Sequence, residues 1–185
     1  MKPIREDHAL RQFFRGLVEN VFTDDLGMCS PALSDYLSDL LTEFIHVDRL
    51  RMIRDADGKP LDQIAEMLAL IVEIDDETTT SACRKGRIYR HIGDYSLFWT
   101  GVYPESLCHR RVTHTKDRLL DYTRQGKRSY AIASGLTRED SVPPPALLRQ
   151  LSDNFESCAH GLELVREEWE HSSPDSFHRA SAILL

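Results

Sequence analysis

Residues 81–103 read SACRKGRIYRHIGDYSLFWTGVY, and placing them on a helix decides how the rest of the chain is read. Ile88, Ile92, Tyr95, Trp99 and Val102 then recur at spacings of four, three, four and three, the period of a buried helical seam. Gly86, Gly93 and Thr100 repeat every seven residues along a second line, a smooth strip that another helix can approach closely. A glycine inside a helix costs about 1 kcal/mol relative to alanine, so Gly93 implies either close packing or a functional demand. The segment from about Lys116 to Ser134 carries a matching interruption at Gly126, within RQGKRSY at 124–130. The expectation is that these two helices cross near their glycines.

Working outward, the remaining punctuation is also helical. A first helix is expected from about Arg5 to Phe22, with Leu10, Phe13, Phe14, Leu17, Val18 and Val21 at three- and four-residue spacing. Ser30-Pro31 reads as an N-cap followed by proline in the first turn. The helix it opens carries Leu33, Leu37, Leu40, Leu41 and Phe44 on one face. A turn at Asp55-Ala56-Asp57-Gly58 leads into a helix expected from Pro60, and Pro104 opens a short helix or turn. Val142-Pro143-Pro144-Pro145 reads as a stiff spacer whose last proline starts one final long helix. Leu148, Leu151, Phe155, Cys158, Leu162, Val165 and Trp169 form its stripe. Strand alternation is not seen, so the fold class is all-α, a single-domain helical bundle of about six to seven helices over 1–171. Residues 172–185 form a C-terminal tail whose Ala182-Ile183-Leu184-Leu185 either docks on the domain or meets a partner.

Composition agrees with a water-soluble globular chain: 41% of its 185 residues are apolar and 29% charged. The opening MKPIREDHALRQFF carries charges where a signal peptide needs an apolar run, and no stretch approaches the roughly 20 apolar residues of a membrane span. Cys29, Cys83, Cys108 and Cys158 lie far apart with no C-x-x-C pair, which reads as reduced thiols in a cytoplasmic protein. The net charge of −7 is uneven. Residues 1–83 sum to −9, residues 84–128 to +7 and residues 129–185 to −5. The middle of the chain is a basic island in an acidic protein.

Two functional readings follow. In the leading one the chain is a cytosolic interaction or regulatory protein whose basic segment meets an acidic protein partner or a second copy of itself. In the alternative it is a ligand-binding or enzymatic domain with a pocket around residues 87–103 and 124–130. Tyr95, Trp99 and Tyr130 would supply aromatic walls, Arg87, Lys127 and Arg128 would hold a small anion, and His91 with Asp94 would move a proton. Aromatic residues at helical spacing also suit an ordinary core, and a charge run also suits a solvated face.

Other chemistry finds less support. Glu43 with His46 and Glu168 with His171 are Glu-x-x-His pairs of the kind found in di-iron carboxylate bundles. Glu43 shares a polar line with Asp39, and Glu168 and His171 flank the stripe of their helix, so this metal reading is the least favoured. Cys108 beside His109, and Cys158 near His160, do not make natural zinc pairs, though His109 and His114 could join a site built from elsewhere. Ile53–Gly58 resembles the middle of a calcium loop but lacks its first acid and has Ile64 where a bidentate glutamate belongs. Nucleotide loops and the G-x-S-x-G elbow are not found, and no cofactor is called for. Arg110, Arg111, Lys116, Arg118 and Arg124 add to the basic cluster that phosphate contacts would want. The acidic remainder would repel a long polyanion, so nucleic acid is set below an acidic protein or a small anion.

Overall fold

In a computed structural model of the protein, which describes residues 9–74, 78–107 and 121–184, the 81–103 stretch lies almost wholly within one helix, Thr79–Gly101. Besides helical residues at 104–107, the described helices in chain order are α1 (Ala9–Asn20), followed by a π-helical turn at Val21–Asp25, α2 (Pro31–Phe44), the single turn α3 (Val47–Leu50), α4 (Ile64–Glu73), α5 (Thr79–Gly101), α6 (Tyr122–Leu136), α7 (Pro145–Asp153), α8 (Phe155–Ser172) and α9 (Pro174–Leu184). The fold is all-α. Eight of these helices have nine or more residues, against the six or seven expected. Two local events account for the difference: a break in the last long helix and a folded tail.

The break falls at Asn154, whose backbone leaves the helical region (φ −109°, ψ 24°) while its side-chain amide donates to the Gln150 carbonyl over 3.0 Å. Short polar side chains that bond the backbone locally compete with helix continuation. The expected stripe survives the break, and Leu148, Leu151, Phe155, Cys158, Leu162, Val165 and Trp169 are all buried. The tail is helical from Pro174 and docks through Phe177 and Ala180. Phe177 meets Trp169 edge-on at 5.2 Å and stacks on Tyr103 at 6.2 Å, and the Trp169 indole donates to Ser176 Oγ over 2.7 Å.

The helix expected from Pro60 begins only at Ile64. Arg54 and Pro60 form an isolated antiparallel bridge, Leu61 N donates to Ile53 O over 2.8 Å, and Asp55 N donates to Lys59 O over 3.0 Å. These bonds hold residues 60–61 extended although Leu61 is buried. Asp55 Oδ1 accepts from the backbone of Asp57 and Lys59, and Gly58 takes a positive φ of 79°. The loop that resembles part of a calcium site thus uses its first aspartate to close its own turn.

Helix α5 is the centre of the assembly. Its N-cap Thr78 accepts from Ser81 N over 3.1 Å, and every residue from His91 to Trp99 is buried. A helix buried on all sides has neighbours all round, so the seam read from the sequence is only one of its contact lines. The glycine strip is another. A Cβ on Gly93 would sit 2.8 Å from the Tyr130 ring, one on Gly126 would sit 2.8 Å from Ser96 Cβ, and one on Gly86 would sit 3.2 Å from Leu136 Cβ. As residue numbers rise along α5 they fall along α6, so the two helices run antiparallel and in contact through their glycines. One core cluster draws residues from α1 through α9. Among the described residues no helix is long and apolar enough to cross a membrane.

Candidate functional site

Arg84, Arg87, His91 and Asp94 follow on α5 at intervals of three, four and three, which places them on one stripe. The stripe runs from exposed arginines to a buried histidine and carboxylate. Facing it are Glu43 and Phe44 from the end of α2, Arg49 from α3, Met52, Ile53 and Arg54 from the following loop, and Leu70 from α4. Together they enclose a cleft of about 410 Å³, in the range of small-ligand sites. Arg90 completes the wall, so five arginines face the cleft against two carboxylates.

Beneath the cleft lies a polar network inside the core. Asp94 Oδ1 accepts from Tyr36 Oη over 2.5 Å and from Tyr130 Oη over 2.8 Å. Its Oδ2 lies 3.6 Å from Arg90 Nε, which also donates to Tyr36 Oη over 3.1 Å. The Arg90 guanidinium covers the Tyr36 ring at 5.3 Å. Burial, then the Asp94 charge, push both tyrosines well above the ordinary phenol range, so they remain neutral donors. Burial alone would lower Arg90, but Tyr36 and Asp94 outweigh it and hold the guanidinium charged. A buried carboxylate with three such partners is satisfied rather than exposed to reaction.

His91 is 1% exposed, and burial lowers its pKa below the ordinary histidine value, with Arg90 adding to the effect while Asp94 and Leu50 oppose it. Its Nε2 lies 3.2 Å from the Leu50 carbonyl. A carbonyl only accepts, so Nε2 carries a proton, and the lowered pKa keeps the ring neutral around pH 7. Its Nδ1 is buried without a hydrogen-bond partner. Among the described residues no serine or cysteine is bonded to this ring, so the pairing that activates a nucleophile is not assembled.

The cleft's cations divide into used and unused. Arg49 lies 4.0 Å from Glu43, Arg54 donates to Gly58 O over 2.8 Å, and Arg90 serves Asp94. Arg84 and Arg87 have no hydrogen-bond or ion-pair partner among the described residues. Both sit in the basic segment 84–128, as do Arg124 and Arg128 on α6, whose guanidinium groups are likewise without a partner among the described residues. Arg110, Arg111, Lys116 and Arg118, with Cys108, His109 and His114, fall outside the described residues.

The pocket drawn from the sequence is therefore divided. Arg87, His91 and Asp94 come together at the cleft, with Tyr130 bonded to Asp94 behind it. Tyr95 is core, its hydroxyl donating to Asp62 O over 2.7 Å, and Trp99 packs among Tyr95, Phe98 and Tyr103. Both are 2% exposed and neither lines the cleft. Lys127 and Arg128 belong to a separate shallow depression on α6, where Lys127 Nζ pairs with Glu156 at 2.7 Å. The metal candidates do not converge: Glu43 lies at the cleft, His46 is exposed beyond α2, and Glu168 and His171 are exposed on α8. Among the described residues no group of three or more His, Cys, Asp or Glu is placed to hold a metal ion.

Four residues of the site escape sequence reading. Arg49 and Arg54 sit in the acidic first half of the chain, where summed charge hides them, and Arg90 is one arginine among several. Tyr36 lies on the apolar face of α2 and carries no signal of its role. The three-four-three spacing of Arg84, Arg87, His91 and Asp94 is the one pattern that would have pointed here. No family model matches the chain, and no curated protein or solved structure matches it significantly.

Proposed function

We propose that the protein is a helical binding module that engages an acidic partner through the arginine-lined cleft beside α5. The observation that carries this reading is the pair Arg84 and Arg87, which face a concave site without a partner among the described residues, next to Arg49 and Arg54. Guanidinium groups bind carboxylates and phosphates through paired, directed N–H bonds. In a chain of net charge −7, such a cluster attracts anions only locally, which favours a partner that fits the cleft over a long polyanion. The cytosol is the compartment that suits this reading, since Cys29, Cys83 and Cys158 are free thiols.

The test is a ¹H–¹⁵N NMR titration of the full chain with hexaglutamate. Shifts are expected at Arg49, Arg54, Arg84 and Arg87 and their neighbours, and they should vanish in the Arg84→Glu/Arg87→Glu variant. Shifts confined to Arg124, Lys127 and Arg128, or no shifts at all, would overturn the assignment. A compact anion is the second reading, favoured by the cleft's volume. Saturation by inorganic phosphate at the same residues, with no effect of hexaglutamate, would select it.

A further inference from the structure

We infer that the acidic partner is an extended peptide segment that crosses Arg90, with acidic side chains at Arg84 and Arg87 and a large apolar side chain in the grooves beside Val142 and Pro143. This rests on the reading of the cleft as an anion site and adds the form and direction of what binds there.

The arginine-lined cleft does not stand alone. Two further clefts, of about 390 and 300 Å³, adjoin it, and Arg90 is part of the wall of all three. Arg87 is shared by the first two, while Val142 and Pro143 are shared by the second and third. The second cleft is floored by Leu136 and Leu148, the third by Leu40 and Leu147. Val142, between them, is 94% exposed, an apolar side chain held in water beside apolar grooves. The result is a cationic site and two apolar sites grouped around one long side chain.

That grouping suits a chain better than a compact molecule. From Arg84 to Asp94 the helix advances about 15 Å, the length of about five residues of extended peptide. Arg90 Nε is committed to Tyr36 and Asp94, while its terminal nitrogens make no hydrogen bond among the described residues and can meet a backbone carbonyl. Charge sets the direction. The third cleft is rimmed by Asp35, Asp39 and Glu43, which repel acids there even though Asp35 lies 3.3 Å from Arg15, Asp39 is paired with Arg11 and Glu43 lies near Arg49. The partner's acids therefore belong over Arg84 and Arg87, and its apolar residue in the third cleft, level with Asp94 and about five positions from the acid over Arg84.

The test is selection of a random 12-residue peptide phage library on the full folded chain, followed by fluorescence anisotropy with the synthetic winners. Selected peptides should pair an acidic cluster with one large apolar residue about five positions apart. Arg84→Glu/Arg87→Glu and, separately, Val142→Asp should each weaken binding at least about tenfold. Circular dichroism should be unchanged in both, since the three side chains are exposed. Winners that lose binding on reversal of Arg84 and Arg87 but ignore Val142→Asp would overturn the extended path and leave the anion cleft standing. Winners indifferent to Arg84 and Arg87, with no hexaglutamate shifts, would overturn both. Failure to select any peptide, or a dimer that either variant dissociates in sedimentation velocity, would also overturn the inference, the latter in favour of a second copy of this chain.

Discussion

Tyr130 of α6 donates to Asp94 of α5 over 2.8 Å, and its ring lies against Gly93, the residue next to Asp94, where a Cβ would sit only 2.8 Å away. The two features are linked. The tyrosine reaches the buried carboxylate because the glycine leaves room for its ring, so helix packing and the polar network beneath the cleft form one construction.

That linkage separates the glycines by experiment. Gly16 is an exposed residue within α1, and a Cβ added there would meet nothing within 4 Å, so Gly16→Ala should stabilise the protein by about 0.5–1 kcal/mol through helix propensity. Gly93→Ala gains the same propensity but drives a methyl into Tyr130, and overpacking of this kind costs about 1–3 kcal/mol. Urea unfolding should raise the midpoint for the first variant and lower it for the second. Equal effects would mean that α5 and α6 are not in contact at Gly93.

Removing the Tyr130 hydroxyl leaves Asp94 with one fewer donor inside the core. Tyr130→Phe should cost about 2 kcal/mol, the scale of a hydrogen bond to a charged group. Tyr36→Phe should cost at least as much, because that hydroxyl also accepts from Arg90. The two bonds share one oxygen, so the double variant should depart from additivity in a double-mutant cycle. Strict additivity would mean the hydroxyls do not meet at Asp94.

Acid should destabilise the fold through His91. Its folded pKa is depressed, whereas the unfolded chain titrates near about 6.5. Below that value the unfolded state takes up a proton that the folded state refuses, so stability falls as pH drops and is regained as it rises. The groups around the ring that act on it are Asp94, Arg90 and the Leu50 carbonyl. Denaturant melts between pH 7 and 5.5 should show this loss in the wild type and a shallower slope in His91→Gln. An unchanged slope would place the titration elsewhere.

Thiol reactivity should follow burial. The Cys158 thiol, fully enclosed in α8, is pushed up to about 12 by burial, while Cys29 and Cys83 are exposed. Iodoacetamide at pH 8 should label the Cys29 and Cys83 peptides rapidly in mass mapping and reach Cys158 only in denaturant. Labelling of Cys158 in the folded state would mean that α8 opens locally.

Sequence periodicity alone was enough for the all-α class, the central helix and the meeting of α5 and α6, because apolar spacing and interior glycines report directly on which faces are covered. The stripe from Leu148 to Trp169 was legible for the same reason. What periodicity does not carry is the identity of the neighbour. Tyr95, Trp99, Lys127 and Arg128 all belong to the two helices that meet, yet the first two point into the core and the others face a different depression. Arg49, Arg54 and Tyr36 reach the site from elements 30 or more residues before Arg84 along the chain. A charge sum over a window cannot see them, since electrostatic contact depends on distance in space, and only the packing of α2, α3 and α4 against α5 sets those distances.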